Sequence, residues 1–438
     1  MADFILEEGS PSAPIPVGHD ARFLGARFAA AAAAVLEGNG LSTILPESPV
    51  TTPMVSCQVV ASGSPIGLAI TASHNSAFYN GLKVKAAFGG SAPSEITARI
   101  ESHLGRRTPR AGRAPDRRHP FLPSYVPRLL NVADVPAIRK APIRVVVDSM
   151  HGAARRILED LVGRRGRARI RTIHGTPDVL FGGTNPEPKP GNLGPLCEEV
   201  VRTRAHIGLA MDGDGDRIGV CDETGRILSP GQIFGLLAIH LLDAKGWRGG
   251  IARTFANTLV ARRIADHYHL PFFDLPIGFK HIARLMLEQD ILIGGEESGG
   301  IGVRKFLPER DGILVGLLLL EMLATGDRRT SRRVAHLEER FGKFVYRRVD
   351  LEMPVERGRA AVARLQATPP TRLGGLTVRS IETLDGLKLW FGDAGWILFR
   401  ASGTEPVLRV YCEASGDRLC DRLIAAGIER LRSGAGRG

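Results

Sequence analysis

The stretch HIGLAMDGDGDRIGVCDE, residues 206–223, sets two short apolar runs on either side of an acidic loop. Each run has the length and the Ile, Leu and Val content of a buried strand. Between them, MDGDGDR spaces Asp212, Asp214 and Asp216 by single glycines. Alternate positions of an extended loop turn three carboxylates to one side, and glycine lets the backbone curl round a small ion. Without a cation the arrangement is costly, because two like charges ~4 Å apart repel by roughly 4 kcal/mol even at an effective dielectric of about 20. Carboxylate oxygens are the ligands that Mg²⁺ prefers. Asp212 to Glu223 has the length of a calcium-binding EF-hand loop, but Arg217 stands where that loop requires glycine. Its flanks are also strands rather than helices, which excludes an EF-hand.

Working outward, the same alternation of strand and helix runs through most of the 438 residues. PIRVVVDS, ARIRTIHG, PFFDLPIG and DILIGGEE read as further strands. GPLCEEVVRTR, GQIFGLLAIHLLDAKG and FKHIARLMLEQ carry apolar positions at helical spacing. This pattern predicts an α/β fold, its mixed, largely parallel sheets covered by helices. The end of the chain differs: GLTVRS, GWILFR and VLRVYCEA are strands grouped with one late helix, SGDRLCDRLIAAGIERLRS. That grouping predicts a smaller α+β domain. The length allows roughly two to four domains, with boundaries placed at 1–125, 126–247, 248–345 and 346–438. No internal repeat emerges, and the last residues, SGAGRG, are expected to be disordered.

The composition, 43% hydrophobic and 24% charged, is that of a soluble globular protein. The opening MADFILEEGS is acidic and unlike a secretory signal. RFAAAAAAVLEG and GILVGLLLLEMLATG, the second containing Glu321, fall short of the ~20 apolar residues a membrane span needs and read as buried helices. Cys57, Cys197, Cys221, Cys412 and Cys420 show no CxxC pairing, which fits a reducing cytoplasm. The net charge of +12 suits an anionic ligand. The arginines crowded into GRRTPRAGRAPDRRHP, residues 105–120, read as a solvated loop or linker. No recognition helix or interleaved aromatics accompany them, so neither a nucleic acid nor a membrane is an expected partner.

Three further loops carry polar groups suited to phosphate and sugar chemistry. ITASHNSAFYNGLKVK, residues 70–85, presents Ser73 and His74 after an apolar strand. GGEESGG, residues 294–300, flanks carboxylates and Ser298 with glycines that permit close approach of a polyhydroxylated ligand. RASGTEP, residues 400–406, offers Arg400, Ser402, Thr404 and the amides around Gly403, and Arg409 follows on the next strand. A guanidinium, hydroxyls and backbone donors match the acceptor oxygens of a phosphate. A serine carrier, a metal loop and a phosphate clamp together spell metal-assisted phosphoryl transfer. A phosphatase would use the same metal, but the first residue of its acidic cluster would be the nucleophile and Ser73 would be idle.

TASHN, DGDGDR, GEES and RASGTEP, in that order across roughly residues 16–415, resemble the four signature loops of the α-D-phosphohexomutases. The stretches TPDVLFGGTNPEPKPGNL and GGEESGGIGVRKFLPERDGI look like the bacterial phosphoglucomutase branch. A phosphoglucosamine mutase more usually shows Gln or Asn at the position of Glu297, followed by Ser-Gly-His. The resemblance implies four domains round a central cleft. It also implies phosphorylation of Ser73, and Mg²⁺ on Asp212, Asp214, Asp216 and a phosphoserine oxygen. Hexose 1-phosphate and hexose 6-phosphate would interconvert through a hexose 1,6-bisphosphate, which also serves as activator. Glu296 and Ser298 would read sugar hydroxyls, and Lys280, in PIGFKHI, would move a proton. His74, Arg22, Lys83 and Arg217 would neutralise the transferring phosphoryl group.

Two positions depart from the family pattern. Ser76 replaces the usual proline after HN. A GTSGWRG-like loop with its preceding strand is missing, as MADFILEEGSPSAP leads directly into IPVGHDARF. The expected activity is therefore a cytoplasmic phosphoglucomutase, with mannose as a companion substrate, in a monomer or homodimer. The alternatives are a phosphoglucosamine mutase and a non-catalytic sugar-phosphate-binding relative with an incomplete first domain.

Overall fold

The computed structural model describes residues 1–433 apart from 10, 11, 117, 164, 165 and 404. Thr404 of the expected phosphate loop and the expected disordered end, 434–438, lie outside the described residues. Three α/β units and one α+β unit follow one another along the chain.

The three α/β units share one strand plan. In the second, Arg169–Ile173, Arg144–Asp148 and Ile207–Met211 run parallel, and Ile218–Asp222 turns back antiparallel beside the last. In the third, Phe272–Leu275, Gly250–Thr254 and Ile291–Gly295 are parallel and Ile301–Val303 returns. In the first, Thr43–Pro46, Ile15–His19 and Ile66–Ile70 are parallel, Leu82–Ala86 returns, and Gly90–Ser91 and Arg118–His119 extend the two edges. The central strands are buried on both faces, Ile207–Met211 at every position, so they read as unbroken apolar runs. In each unit the tight turn from the last parallel strand to the returning strand is the loop singled out above: 71–81, 212–217 and 296–300. The fold thus repeats a unit that the sequence does not visibly repeat.

Both apolar runs form helices, Gly25–Gly38 and Gly312–Ala324. The second is buried from Gly312 through Leu323 and is started by Asp311, whose side chain accepts from the Leu314 amide at 2.8 Å. No helix among the described residues is long and apolar enough to cross a membrane. The opening stretch, read as a mere lead-in, forms a helix, Ala2–Glu7, whose Phe4 and Ile5 join the core of the first unit. Within the arginine-rich segment Arg118–His119 form a short strand that pairs with Leu45 and Pro46, and the other described residues are irregular. The five cysteines are free thiols.

The fourth unit is an antiparallel sheet of five strands, with Val345–Glu352 beside Val407–Ala414, then Gly395–Ala401, Leu387–Trp390 and Ser380–Glu382. Helices Val355–Ala367 and Asp417–Ser433 close its separate core.

Candidate active site

The serine loop is held from below by one arginine. Arg22 Nη1 donates to the carbonyls of Ser76 (2.6 Å) and Tyr79 (2.9 Å), and Nη2 to those of Ser73 (2.8 Å) and Asn75 (2.6 Å). Its Nε donates to Asp20 Oδ2 at 3.0 Å, and the ring of Phe181 from the second unit lies 5.0 Å from its guanidinium carbon. All five guanidinium donors are engaged by the chain itself. Arg22, expected to neutralise the phosphoryl group, has its donors committed to the carbonyls of the loop that carries Ser73 and to Asp20. Asp20 also accepts from Thr71 Oγ1 (2.6 Å), which in turn receives the Ser73 amide (2.8 Å). The loop so braced holds Ser73 in the left-handed region, φ 53°, a conformation that non-glycine residues adopt only when their surroundings enforce it.

Ser73 Oγ lies 3.0 Å from Asp212 Oδ2, so the serine of the first unit meets the metal loop of the second. Close approach of backbones makes this possible. A Cβ on Gly213 would stand 2.7 Å from the Ser73 carbonyl oxygen, and Gly215 takes φ +71°. Asp212, Asp214 and Asp216 are fully buried, with one ligand atom from each inside a 4.8 Å span. Lys83 Nζ reaches Asp214 Oδ2 (2.7 Å) and Asp216 Oδ2 (3.1 Å). Arg310 pairs with Asp216 from the third unit, and Arg217 Nε lies 3.9 Å from both Asp212 and Asp216.

Burial, then the neighbouring carboxylates, push Asp212 well above the usual carboxylate range. Burial works the same way on the other two but is outweighed, chiefly by Lys83 at Asp214 and by Arg310 and Lys83 at Asp216; both are held low. Asp214 Oδ1 and Asp216 Oδ1 are buried and accept no hydrogen bond from the described residues. Two ionised oxygens that accept no hydrogen bond, beside a third carboxylate, fit a hard divalent cation.

His74 lies among Arg217, Glu187, Asp216 and Asp214. Burial, reinforced by Arg217, pushes its imidazole down to about 3. Its buried Nδ1 has no partner among the described residues. Glu296, on the third unit's loop, gives Oε2 to Arg310 Nη1 at 2.6 Å. Glu297 instead turns to Thr254 Oγ1 (2.7 Å), and burial with the Glu296 charge raises its carboxyl above the usual range. Glu297 and Ser298 line a cleft of about 660 Å³ whose other walls include Glu187, Lys189, Arg348 and Asp350.

The fourth unit's residues stand apart from this cluster. Arg400 and Arg409 are directly opposed on neighbouring strands, and Arg409 in turn faces Asp350. Like charges side by side are unfavourable unless compensated, and each has a carboxylate: Asp385 Oδ2 at 3.0 Å from Arg400 Nε, and Glu405 for Arg409. Ser402 Oγ receives the Glu405 amide at 3.1 Å, and a Cβ on Gly403 would meet nothing within 4 Å. Lys280 is exposed and donates to Ser94 Oγ of the first unit at 2.8 Å. The structure thus gathers Ser73, His74, Lys83, the three aspartates, Arg217 and Glu296. It does not bring Lys280, Arg400 or Arg409 into contact with them. Arg310 was missed in the sequence; ERDG at a helix start is a capping pattern and gives no hint of an ion pair across units.

A serine against a buried triple-carboxylate loop, with cations around both, defines a phosphoryl-transferring enzyme of the phosphohexomutase class. The alpha/beta/alpha domains I, II and III of the phosphoglucomutase/phosphomannomutase family match residues 1–111, 123–225 and 229–341, and the family's C-terminal domain matches 352–429. The chain belongs to this family. It is 30% identical to a phosphoglucomutase/phosphomannomutase of Thermococcus kodakarensis over 98% of this chain and 91% of that one. It is 32% identical to a phosphoglucosamine mutase of Clavibacter michiganensis over 98% and 95%. Among solved structures, a Thermus thermophilus protein whose name assigns it provisionally to the phosphomannomutases superposes with a TM-score of 0.88 at 33% identity, covering 98% of this chain and 92% of that one.

Proposed function

We propose that the chain interconverts hexose 1-phosphate and hexose 6-phosphate through phosphorylated Ser73, with glucose as the preferred sugar and mannose as a second. The observation that carries this reading is the approach of Ser73 Oγ to Asp212 (3.0 Å) beside two buried carboxylate oxygens that accept no hydrogen bond from the described residues. Asp212, Asp214 and Asp216, with a phosphoserine oxygen, would hold Mg²⁺, which supplies charge neutralisation for the transferring phosphoryl group.

The chain's own residues do the rest. Lys83, Arg217 and Arg310 bring fixed positive charge to the transfer site, and Arg22 fixes the carrier loop. The phosphoryl group leaves Ser73 Oγ for the free hydroxyl of the sugar phosphate. The resulting bisphosphate turns over and returns its other phosphoryl group to Ser73. Either phosphate must therefore sit on one distal clamp in turn. The opposed Arg400 and Arg409, with Ser402, Gly403 and Thr404, suit that dianion once it displaces Asp385 and Glu405. Ser298 faces the cleft, and Glu296 stands on the same loop to meet a sugar hydroxyl; Lys280 becomes a proton carrier only if the cleft closes.

A glucosamine phosphate is the second reading, favoured by the 32% identity to a phosphoglucosamine mutase; Glu297 in place of an amide weighs toward glucose. The chain acts in the cytoplasm as a monomer or homodimer, without nucleic acid or membrane. The test is incubation with radiolabelled glucose 1,6-bisphosphate and Mg²⁺ followed by peptide mapping. Label on Ser73 supports the reading; a folded, sugar-phosphate-binding chain that takes no label is the binding-only relative.

A further inference from the structure

Residues 309–312, Glu-Arg-Asp-Gly, are the knot at which three units meet. Glu309 pairs with Lys85 and accepts from Ser56 Oγ (2.9 Å), both in the first unit. Asp311 receives the Tyr125 hydroxyl at 2.7 Å, at the junction of the first and second units, and the Gly312 amide donates to the Gly215 carbonyl of the second at 3.0 Å. Between them Arg310 divides its guanidinium, Nη2 to Asp216 of the metal loop and Nη1 to Glu296 of the sugar loop. Its buried Nε has no partner among the described residues.

Gly300 packs directly against this side chain. A Cβ on Gly300 would stand 2.4 Å from Arg310 Cδ and 2.8 Å from Glu296 Oε2, closer than atoms can pack. A Cβ there would press on both partners of the Arg310–Glu296 pair, so one of them must shift. Gly300 is outside the left-handed region, so its own backbone gives no other reason for glycine. Arg310 and Gly300 are thus two halves of one device.

We propose that Arg310 is a positioning residue that couples the two loops. It holds Glu296 at the angle that reads the sugar, and its second arm competes with a cation for Asp216. Gly300 is glycine to house it. The proposal rests on the mutase reading for the sugar, but its cation arm does not.

The experiment compares Arg310→Met, Arg310→Lys, Gly300→Ala and the Met/Ala double variant, each checked for folding by circular dichroism. Mn²⁺ affinity of the unphosphorylated chain is read by electron spin resonance, and kcat and KM with glucose 1-phosphate by a coupled assay. Arg310→Met removes the competitor and is expected to bind Mn²⁺ at least threefold tighter. Arg310→Met and Gly300→Ala are each expected to raise KM about tenfold or more, with a smaller change in kcat. The double variant is expected to be no worse than Arg310→Met alone, because both changes break one contact. Arg310→Lys keeps a charge but not a two-armed fork, so near-native Mn²⁺ affinity with raised KM is expected.

Unchanged KM in Gly300→Ala, effects that multiply in the double variant, or Mn²⁺ affinity indifferent to Arg310→Met would overturn the coupling. A wild-type chain that takes no label on Ser73 would instead sink the mutase reading, and the Mn²⁺ measurements would still decide whether Arg310 competes at Asp216.

Discussion

Replacing Arg22 by lysine separates two roles that a sequence cannot distinguish. If Arg22 neutralises phosphoryl charge, lysine keeps most of the function. If it braces the serine loop, lysine fails. Arg22 makes five hydrogen bonds, four to carbonyls of residues 73–79 and one to Asp20. A lysine ammonium has three donors, so at least two acceptors lose their partner, at ~1–3 kcal/mol each. The loop should therefore open more easily by about 2–6 kcal/mol, which at its lower end is roughly a thirtyfold rise in amide exchange. Hydrogen-exchange mass spectrometry of the peptide spanning 71–81 measures this, beside the rate of Ser73 phosphorylation by glucose 1,6-bisphosphate. Faster exchange together with slower phosphorylation is expected. Native exchange with native phosphorylation in Arg22→Lys would refute the bracing argument and restore the charge role.

Three further outcomes follow from the same geometry. Asp214→Asn removes one of the ionised carboxylates facing the site, and isothermal titration with Mn²⁺ should show affinity reduced by about tenfold or more. Arg409→Met leaves Arg400 alone on the distal clamp and should raise KM for glucose 1-phosphate more than tenfold, while labelling of Ser73 by the bisphosphate is affected less. Asp311 carries a pH signature, since burial pushes its carboxyl up from 3.8 to about 7. Below pH 4 the buried group is protonated in both states and its contribution is complete. Between pH 4 and 7 only the unfolded chain releases the proton, and stability falls by about 4 kcal/mol in all over this span. Asp311→Asn cannot titrate, so urea denaturation should show the wild type's advantage over it shrinking across that window and constant above it.

The strands and helices were legible because period and length survive in the chain: HIGLAMD, PIRVVVDS and GILVGLLLLEMLATG all fold as read. The triplicated strand plan was not. A strand buried on both faces accepts Ile, Val, Leu, Ala or Gly nearly interchangeably, so Val145–Val147 and Ile251–Ala252 occupy matching places without matching letters. The metal loop was legible because three carboxylates at alternate positions are costly without a purpose. Arg22 was noticed, but its grip on the serine loop was not legible, since the groups it holds are backbone carbonyls, which have no letter of their own. Arg310 was missed for a related reason: its partners, Asp216 and Glu296, lie 94 and 14 positions away, and only the packing of three units brings them together. The opening helix was too short, six residues, to show a period.

The most direct measurement is conversion of glucose 1-phosphate to glucose 6-phosphate by the purified chain with Mg²⁺ and trace glucose 1,6-bisphosphate, run beside mannose 1-phosphate and glucosamine 1-phosphate. The account predicts turnover that is fastest with glucose and lost in Ser73→Ala. Turnover that survives Ser73→Ala would contradict it, because the phosphoryl group would then cross the cleft without its carrier.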